Sequence, residues 1–451
     1  MAARLTVLAL AASAGPFLDD EDTDRARRAC RDWRRAAESV PHIFLSRAYA
    51  RVLRDPIETD EQRLATLHAV SEMCHAITPN QTATLCKHTL EGFHDVVDAV
   101  VAAARPIIAD VTQLDPIATA ALDTLAAVVG CGIPVRDRLA DQCLHLDLYA
   151  ALKQEEGHNE ATALEQQGRI LRVLVPLCPK PVPKCFLGIS LSTVPWVRLL
   201  DPAYPRVVDA MGLLVALSDG PIDVIQAVLN AGVVPLIVKC AKAGAAVFCG
   251  LRVLGNICAG SDVQTQVVIN AGGVDVLASQ LTSDVPSSRK EASWALSNIA
   301  AGTVDQIDAL IKHPTVVRDV LANFTCAWPD VQKESVWTVA NMTSGGTQEQ
   351  LRILVEAHAS VEALCAIAVT TKAVTTRELR MVVAALEGIG NCLRTYEYLK
   401  SAQGLTVNAL VARLRATTAF DQLASLAGHP NQDVRQEAAA LLDEHFDQVT
   451  P

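Results

Sequence analysis

Residues 290–310 read KEASWALSNIAAGTVDQIDAL and place Trp294 and Asn298 four positions apart, about one turn of a helix. Residues 333–354, KESVWTVANMTSGGTQEQLRIL, repeat the same order of an acidic residue, a tryptophan and an asparagine. In both stretches an amphipathic helical pattern ends near a glycine, where a helix must stop, and a second helical pattern follows. A unit that recurs in this way predicts stacked helical repeats.

A third segment carries the same frame. Residues 250–269, GLRVLGNICAGSDVQTQVVI, align without gaps and put Arg252 at the tryptophan position. The asparagines Asn256, Asn298 and Asn341 lie 42 and 43 residues apart, a period typical of armadillo and HEAT repeats of two or three helices. Because such a unit buries its apolar face only against its neighbours, we expect an all-α armadillo superhelix of about ten repeats.

Composition agrees with this fold class. The chain has 451 residues, of which 50% are apolar and only 4% aromatic, which favours helices packed through small side chains. Its length is too great for one compact core, so an elongated single domain over 1–451 is expected. We divide it into divergent early repeats at 1–204, later repeats at 205–395, and a terminal repeat and cap at 396–451.

Several functional classes lack support. The thirteen cysteines are scattered and are expected to be small buried side chains in a reducing compartment. The histidines show no zinc-ligand spacing, and no nucleotide-binding or hydrolase motif occurs, so no metal, cofactor or enzyme activity is predicted. A net charge of −11 argues against nucleic acid and allows a basic partner. No apolar run is long enough for a membrane span, and we interpret residues 1–16 as an apolar first helix rather than a signal peptide.

The tryptophans and asparagines lie beside the apolar stripe of their helices. In the first quoted helix, Glu291, Trp294 and Asn298 flank that stripe, so the indole is expected to be partly exposed. An asparagine amide can bond both polar groups of one peptide unit, which aligns an extended backbone. Successive indoles accept the stems and cations of Lys and Arg, and Glu291 and Glu334 lie close enough to read their charge. The pattern predicts a groove for an extended Lys/Arg-rich peptide.

Four segments resemble importin-α, the armadillo adaptor that carries basic nuclear localisation signals. They are residues 250–266, 290–302, 333–345 and the stretch HPNQDVRQEAAALLDEHF at 429–446. The resemblance implies a nuclear import adaptor of the cytoplasm and nucleus that binds basic cargo peptides at the family's minor site. The implied peptide-binding residues are Arg252, Asn256, Asp262, Thr265, Glu291, Trp294, Asn298, Glu334, Trp337, Asn341 and Asn391.

The family's major site is where this sequence departs from the resemblance. The four early Trp-Asn pairs are replaced by His68 and Glu72, Asp123 and Ala127, Arg172 and Pro176, and Gly212 and Ala216. Cys131 also stands where the family has an aspartate that receives a lysine. We expect this site to be absent or rebuilt. Two alternatives remain: His68, Asp123 and Arg172 form a polar groove for another ligand, or the surface has drifted.

Further partners rest on the resemblance alone. Residues 24–39 contain six arginines but also aspartates, so we interpret them as a solvated helix face rather than the importin-β-binding arm. Acidic Asp443, Glu444 and Asp447 are implied contacts for the family's export receptor. The alternative functions are an armadillo scaffold without a transport role and an adaptor that has lost its arm.

Overall fold

The computed structural model describes residues 50, 52–55, 58–76, 87–113, 115–130, 133–153, 160–178, 191–371 and 375–446. The opening residues 1–16, the arginine-rich stretch 24–39, Cys131 and Asp447 lie outside this part of the chain. The regular secondary structure of the described residues is helical throughout, with no strand. The chain divides into two compact units. Unit 1 comprises residues 1–199 and 204–220, and unit 2 comprises 200–203 and 221–451.

Unit 1 contains eight described α-helices, of which α1, α3, α6 and α8 pack against one another in succession. Apolar side chains such as Leu122, Leu125 and Leu174 are fully buried between them. The helices are α1 (Asp60–Ala76), α2 (Lys87–Ala109), α3 (Pro116–Val129), α4 (Ile133–Asp141), α5 (Leu144–Leu152), α6 (Glu160–Leu177), α7 (Trp196–Leu199) and α8 (Val207–Ser218).

Unit 2 begins with three-helix repeats, whose third helices α11, α14, α17 and α20 pack in succession. The helices are α9 (Ile222–Asn230), α10 (Val234–Lys242), α11 (Val247–Cys258), α12 (Asp262–Asn270), α13 (Gly273–Gln280), α14 (Pro286–Ala300), α15 (Val304–Ile311), α16 (Val316–Ala322), α17 (Pro329–Gly345), α18 (Gln348–His358), α19 (Ser360–Thr370), α20 (Thr376–Ala402), α21 (Ala409–Arg415), α22 (Thr418–Leu426) and α23 (Gln432–His445).

In three repeats the first helix, α12, α15 or α18, starts with the same capping box. Helix α9 instead begins after Pro221, which makes no side-chain cap. Ser261, Thr303 and Thr347 accept a hydrogen bond from the backbone three residues on, and the glutamine there bonds back to the cap. This exchange satisfies two backbone donors that a helix start leaves without partners. The serine or threonine after each glycine therefore fixes where the repeat restarts.

The capping glutamines also join neighbouring repeats. Gln264 Nε2 donates to the carbonyl of Ile222, 3.4 Å away, and Gln306 Nε2 donates to that of Asp262 at 2.7 Å. Gln350 Nε2 donates to the carbonyl of Val304 at 3.0 Å. We call these three equivalent contacts the glutamine ladder. Each one adds a second donor, from the next repeat, to a carbonyl in the first turn of the preceding repeat.

The glycines before the capping boxes are required for a different reason from the one expected from the sequence. Gly260 and Gly302 do not adopt the left-handed conformation of a helix-ending glycine. A Cβ at Gly302 would instead collide with Oε1 of Gln306, and one at Gly260 with Oε1 of Gln264. The position must lack a side chain because the capping glutamine folds back over it. Left-handed glycines occur at the later NAG turns, where Gly232 and Gly272 have φ of 68° and 78°.

The buried cysteines behave as small apolar side chains. Cys178, Cys258, Cys365 and Cys392 lie in the core, and burial raises the pKa of each thiol, that of Cys392 to about 12. Cys143 is an exception because it is exposed. Within the described ranges, no cluster of three His, Cys, Asp or Glu side chains could hold a metal ion. Nor is any single described helix long and apolar enough to span a membrane, although two bent helix pairs pass that test together.

Candidate functional site

The helices α11, α14 and α17 place the tryptophan and asparagine positions of successive repeats side by side. We call these positions the Trp-Asn row; its members are Arg252, Asn256, Trp294, Asn298, Trp337 and Asn341. The two tryptophans and the last two asparagines are half-buried, as the sequence predicts for side chains beside the apolar stripe. Asn256 is only 6% exposed and therefore lies deeper than the other asparagines.

Two asparagines of the row are oriented by the preceding repeat. Nδ2 of Asn298 donates to the carbonyl of Gly255 at 3.2 Å, and Nδ2 of Asn341 donates to the carbonyl of Ser297 at 2.9 Å. Each bond uses one of the two amide N–H groups and fixes the plane of the amide. The second N–H and the carbonyl oxygen remain as a donor and an acceptor for a peptide backbone.

Arg252 lies against the tryptophan of the next repeat. Its guanidinium carbon is 5.3 Å from the ring centroid of Trp294, within range of a cation–π interaction. Nη1 of Arg252 also donates to both carboxylate oxygens of Glu291, 2.9 Å each. Charge-assisted contacts of this kind are stronger than neutral hydrogen bonds. An arginine of the chain itself therefore occupies the cation position beside Trp294.

The carboxylates expected to read a peptide's charge are already paired inside the chain. The side chain of Glu291 is 4% exposed and also lies 3.6 Å from Nζ of Lys290. Glu334 is 8% exposed and pairs with Nζ of Lys333 at 2.6 Å. Neither carboxylate is an open acceptor at the surface. This corrects the expectation that both are directly available to the cations of a peptide. A partner has to share or replace an internal cation to reach them.

The remaining predicted residues differ in their setting. Thr265 is 3% exposed, and its hydroxyl donates to the carbonyl of Cys258 at 3.3 Å, so it faces the interior. Asp262 is exposed at the start of α12, where its backbone carbonyl forms part of the glutamine ladder. Asn391 is half-buried on α20, and its side-chain oxygen accepts from Arg394 at 2.8 Å. Thr265 is thus poorly placed to contact a peptide directly.

We call the positions of unit 1 that replace the early Trp-Asn pairs the early row, and its central contact is an ion-pair cluster around Asp123. Asp123 on α3 accepts from both Arg169 and Arg172 on α6, and Arg169 also contacts Glu165 at 2.9 Å. Burial and the nearby guanidinium of Arg206 lower the pKa of Arg169 and Arg172. The structure therefore brings together Asp123 and Arg172, two of the three residues of the polar-groove alternative.

His68, in contrast, lies 3.5 Å from Glu72 on its own helix. Arg169 was not predicted from the sequence, although it stands three positions before Arg172, as Glu291 stands before Trp294. This spacing within the repeat was the sequence signal that could have identified Arg169.

Parts of the chain are similar to known proteins. A model of the armadillo/β-catenin-like repeat matches residues 261–301, the span of α12 to α14. Importin subunit alpha-1a of Oryza sativa subsp. japonica is 30% identical over 241 residues, covering 53% of this chain and 44% of that protein. Importin subunit alpha-8 of Arabidopsis thaliana is 31% identical over 230 residues, half of each protein. The chain spans about half the length of the curated relatives it matches.

A solved structure extends the likeness to more of the chain. The crystal structure of an engineered protein has a TM-score of 0.62 at 19% identity and covers 88% of this chain and 98% of that one. Similarity at this identity concerns the fold alone. The family match and the importin-α relatives favour a protein that is not an enzyme. The predicted all-α armadillo fold and the resemblance are confirmed: residues 261–301 match the armadillo repeat, and about half of the chain is similar to importin-α subunits.

Proposed function

We propose that the Trp-Asn row binds an extended Lys/Arg-rich peptide, in the manner of a nuclear import adaptor. The observation that carries this proposal is the pair of half-buried indoles, Trp294 and Trp337, each followed one turn later by an asparagine oriented by the preceding repeat. Asn298 and Asn341 would hold the peptide backbone, and the indoles would contact the stems and charges of its side chains. The acidic net charge of −11 favours a basic ligand.

The contact of Arg252 with Glu291 and Trp294 serves as an internal example of how a cation is held. In the next repeat Glu334 and Trp337 occupy the same positions, and Trp294 stands where Arg252 stands one repeat earlier. A peptide cation bound there would approach the Trp337 ring and share Glu334 with Lys333. Such charge-assisted contacts, partly shielded from water, favour Lys or Arg over neutral side chains.

The wider transport role rests on the similarity to importin-α subunits. It includes cargo import between cytoplasm and nucleus, with importin-β and an export receptor as further partners. The second candidate function is an armadillo scaffold without a transport role. It is favoured by unit 1, where Asp123 and Arg172 stand in place of tryptophans of the Trp-Asn pairs and form an ion pair with each other.

A peptide titration tests the proposed function. A fluorescent Lys/Arg-rich peptide is titrated with the full chain at near-physiological salt, alongside a Trp294→Ala, Trp337→Ala double variant. We expect micromolar binding by the native chain and a loss of affinity of about tenfold or more in the double variant. A peptide of the same length without charge should not bind.

Trp328→Ala is the matched control, because Trp328 lies outside the row and its ring stacks with Arg289 at 4.6 Å. It should bind the basic peptide like the native chain. Failure of the native chain to bind, or an equal loss in the Trp328 variant, would reject the groove as a basic-peptide site and favour the scaffold.

A further inference from the structure

The position beside Trp294 and Glu291, where a peptide cation would bind, is already occupied by a cation of the chain itself. Arg252 contacts the Trp294 ring at 5.3 Å and gives one N–H nitrogen to both oxygens of Glu291. The next repeat differs, because Trp294 occupies the position of Arg252 and brings no charge to Glu334. Two pockets with the same carboxylate and indole therefore differ in whether an arginine of the preceding repeat fills them.

Arg252 is held by the carboxylate of Glu291, which is buried and therefore costly to leave without a cation. Glu291 is 4% exposed on its side chain, whereas Arg252 is 35% exposed. Among the described residues, the other cationic contact of this carboxylate is Lys290 at 3.6 Å, farther than the 2.9 Å of Arg252. Removing one partner of a buried ion pair is costly, because the other charge stays buried without compensation. The pocket therefore strongly favours being occupied by a cation.

A peptide cation could enter this pocket only by displacing Arg252. The exchange replaces one cation by another on the same carboxylate and ring, so the peptide gains little. Arg252 is also tethered to the chain, which gives it the advantage of a high effective concentration over a dissolved competitor. The Arg252 side chain is nevertheless partly exposed to solvent.

We propose that Arg252 is a resident competitor that keeps basic peptides out of the pocket formed by Trp294 and Glu291. It thereby limits the number of peptide cations that the row can bind. This inference rests on the proposed function and concerns the specificity of the same groove. The peptide would bind from Trp294 onward and place a cation in the pocket of Trp337 and Glu334. The pocket of Glu291 would open to a peptide only when Arg252 is absent.

The test has a readout that needs no peptide. In an Arg252→Ala variant of the full chain, the vacated pocket should accept methylguanidinium, a small mimic of the lost side chain. We expect the variant to melt at a lower temperature than the native chain, and millimolar methylguanidinium chloride to raise its Tm more than the same concentration of sodium chloride does. An Arg252→Ala, Glu291→Ala variant lacks the carboxylate and should show no such increase.

The second readout is affinity for basic peptides. A peptide long enough to reach the additional pocket should bind the Arg252→Ala variant about three- to thirtyfold more tightly than the native chain, the range of one added cation–π and carboxylate contact. Arg289→Ala is the matched control, since Arg289 stacks on Trp328 outside the row and should leave this affinity unchanged.

The outcomes separate this inference from the proposed function. Peptide binding by the native chain that is unchanged or weaker in the Arg252→Ala variant, with no specific stabilisation by methylguanidinium, overturns the resident-competitor role and leaves the groove intact. Specific stabilisation by methylguanidinium in a protein that binds no basic peptide supports Arg252 as a resident cation and removes the cargo function. Tighter peptide binding together with methylguanidinium rescue supports both.

Discussion

Gly255 on α11 lies directly behind the indole of Trp294 on α14. A Cβ at Gly255 would stand 2.5 Å from Cζ3 and 2.7 Å from Cε3 of the ring, closer than any real contact permits. The flat indole therefore rests on the backbone of the preceding repeat, beside the guanidinium of Arg252. The absence of a side chain at Gly255 sets the position of the first indole in the row.

Gly255→Ala should displace the Trp294 ring and weaken binding of a basic peptide about tenfold. The control is Gly250→Ala in the same helix, whose Cβ would meet Ala241 and Ile237 side chains at an ordinary 3.6 Å. Alanine is favoured over glycine in a helix by about 0.5–1 kcal/mol, so this control should raise the Tm slightly and leave binding unchanged. Titration and thermal melts of both variants check the prediction. Equal peptide affinities would show that the ring position is not set by Gly255.

Gln306→Ala should lower the free energy of unfolding by about 1–3 kcal/mol, because it removes the middle contact of the glutamine ladder. The side chain donates to the Asp262 carbonyl at 2.7 Å and accepts from the backbone N–H of Thr303 at 3.2 Å. Urea unfolding measures the change. Gln348→Ala is the control, since this exposed glutamine in the first turn of α18 should change stability by less than about 0.5 kcal/mol. Similar losses in both variants would contradict a specific role of the ladder.

Asp123→Asn should destabilise unit 1, because one carboxylate accepts from both Arg169 and Arg172. The aspartate is 40% exposed, which reduces the expected loss to about 1–2 kcal/mol. Asp137→Asn provides the comparison, as its carboxylate is 61% exposed and lies 3.6 Å from Arg136. Thermal melts should show a clear decrease in Tm for the first variant only. An unchanged melt for Asp123→Asn would mean that the early row is not held by these ion pairs.

Stability should decrease on mild acidification. Burial lowers the pKa of His145, His358 and His445 below the ordinary 6.5. Nearby carboxylates, Asp147 beside His145 and Glu444 beside His445, oppose this shift without reversing it. The unfolded chain therefore takes up protons first as the pH falls through about 6.5, and the free energy of unfolding falls with it until the folded-state pKa is reached.

Thermal melts between neutral pH and the onset of carboxylate protonation measure this effect. His445→Gln should flatten the pH dependence, whereas His68→Gln, which alters an exposed side chain, should not. A melt temperature that is constant over this interval would show that the buried histidines do not contribute.

The sequence predicted the repeat, its period and the position of the indoles, because hydrophobic spacing and the recurring Trp and Asn are local signals. It could not reveal that Glu291 is buried under Arg252, since this contact joins residues 39 positions apart on different repeats. The role of Gly302 was misread for the same reason. Its lack of a side chain makes room for Gln306, a constraint that appears only when the capping side chain is placed.

The glutamine ladder also has a mechanical meaning. Its three rungs tie the first helices of successive repeats at equivalent points, beginning at Ile222 and ending at Gln350. Where a rung could precede Gln264, the chain has Val224, so the tied segment starts there. Repeats pinned at a common point cannot slide past one another without breaking a hydrogen bond. The tied segment therefore holds Trp294 and Trp337 at a fixed separation, whichever ligand lies along the row.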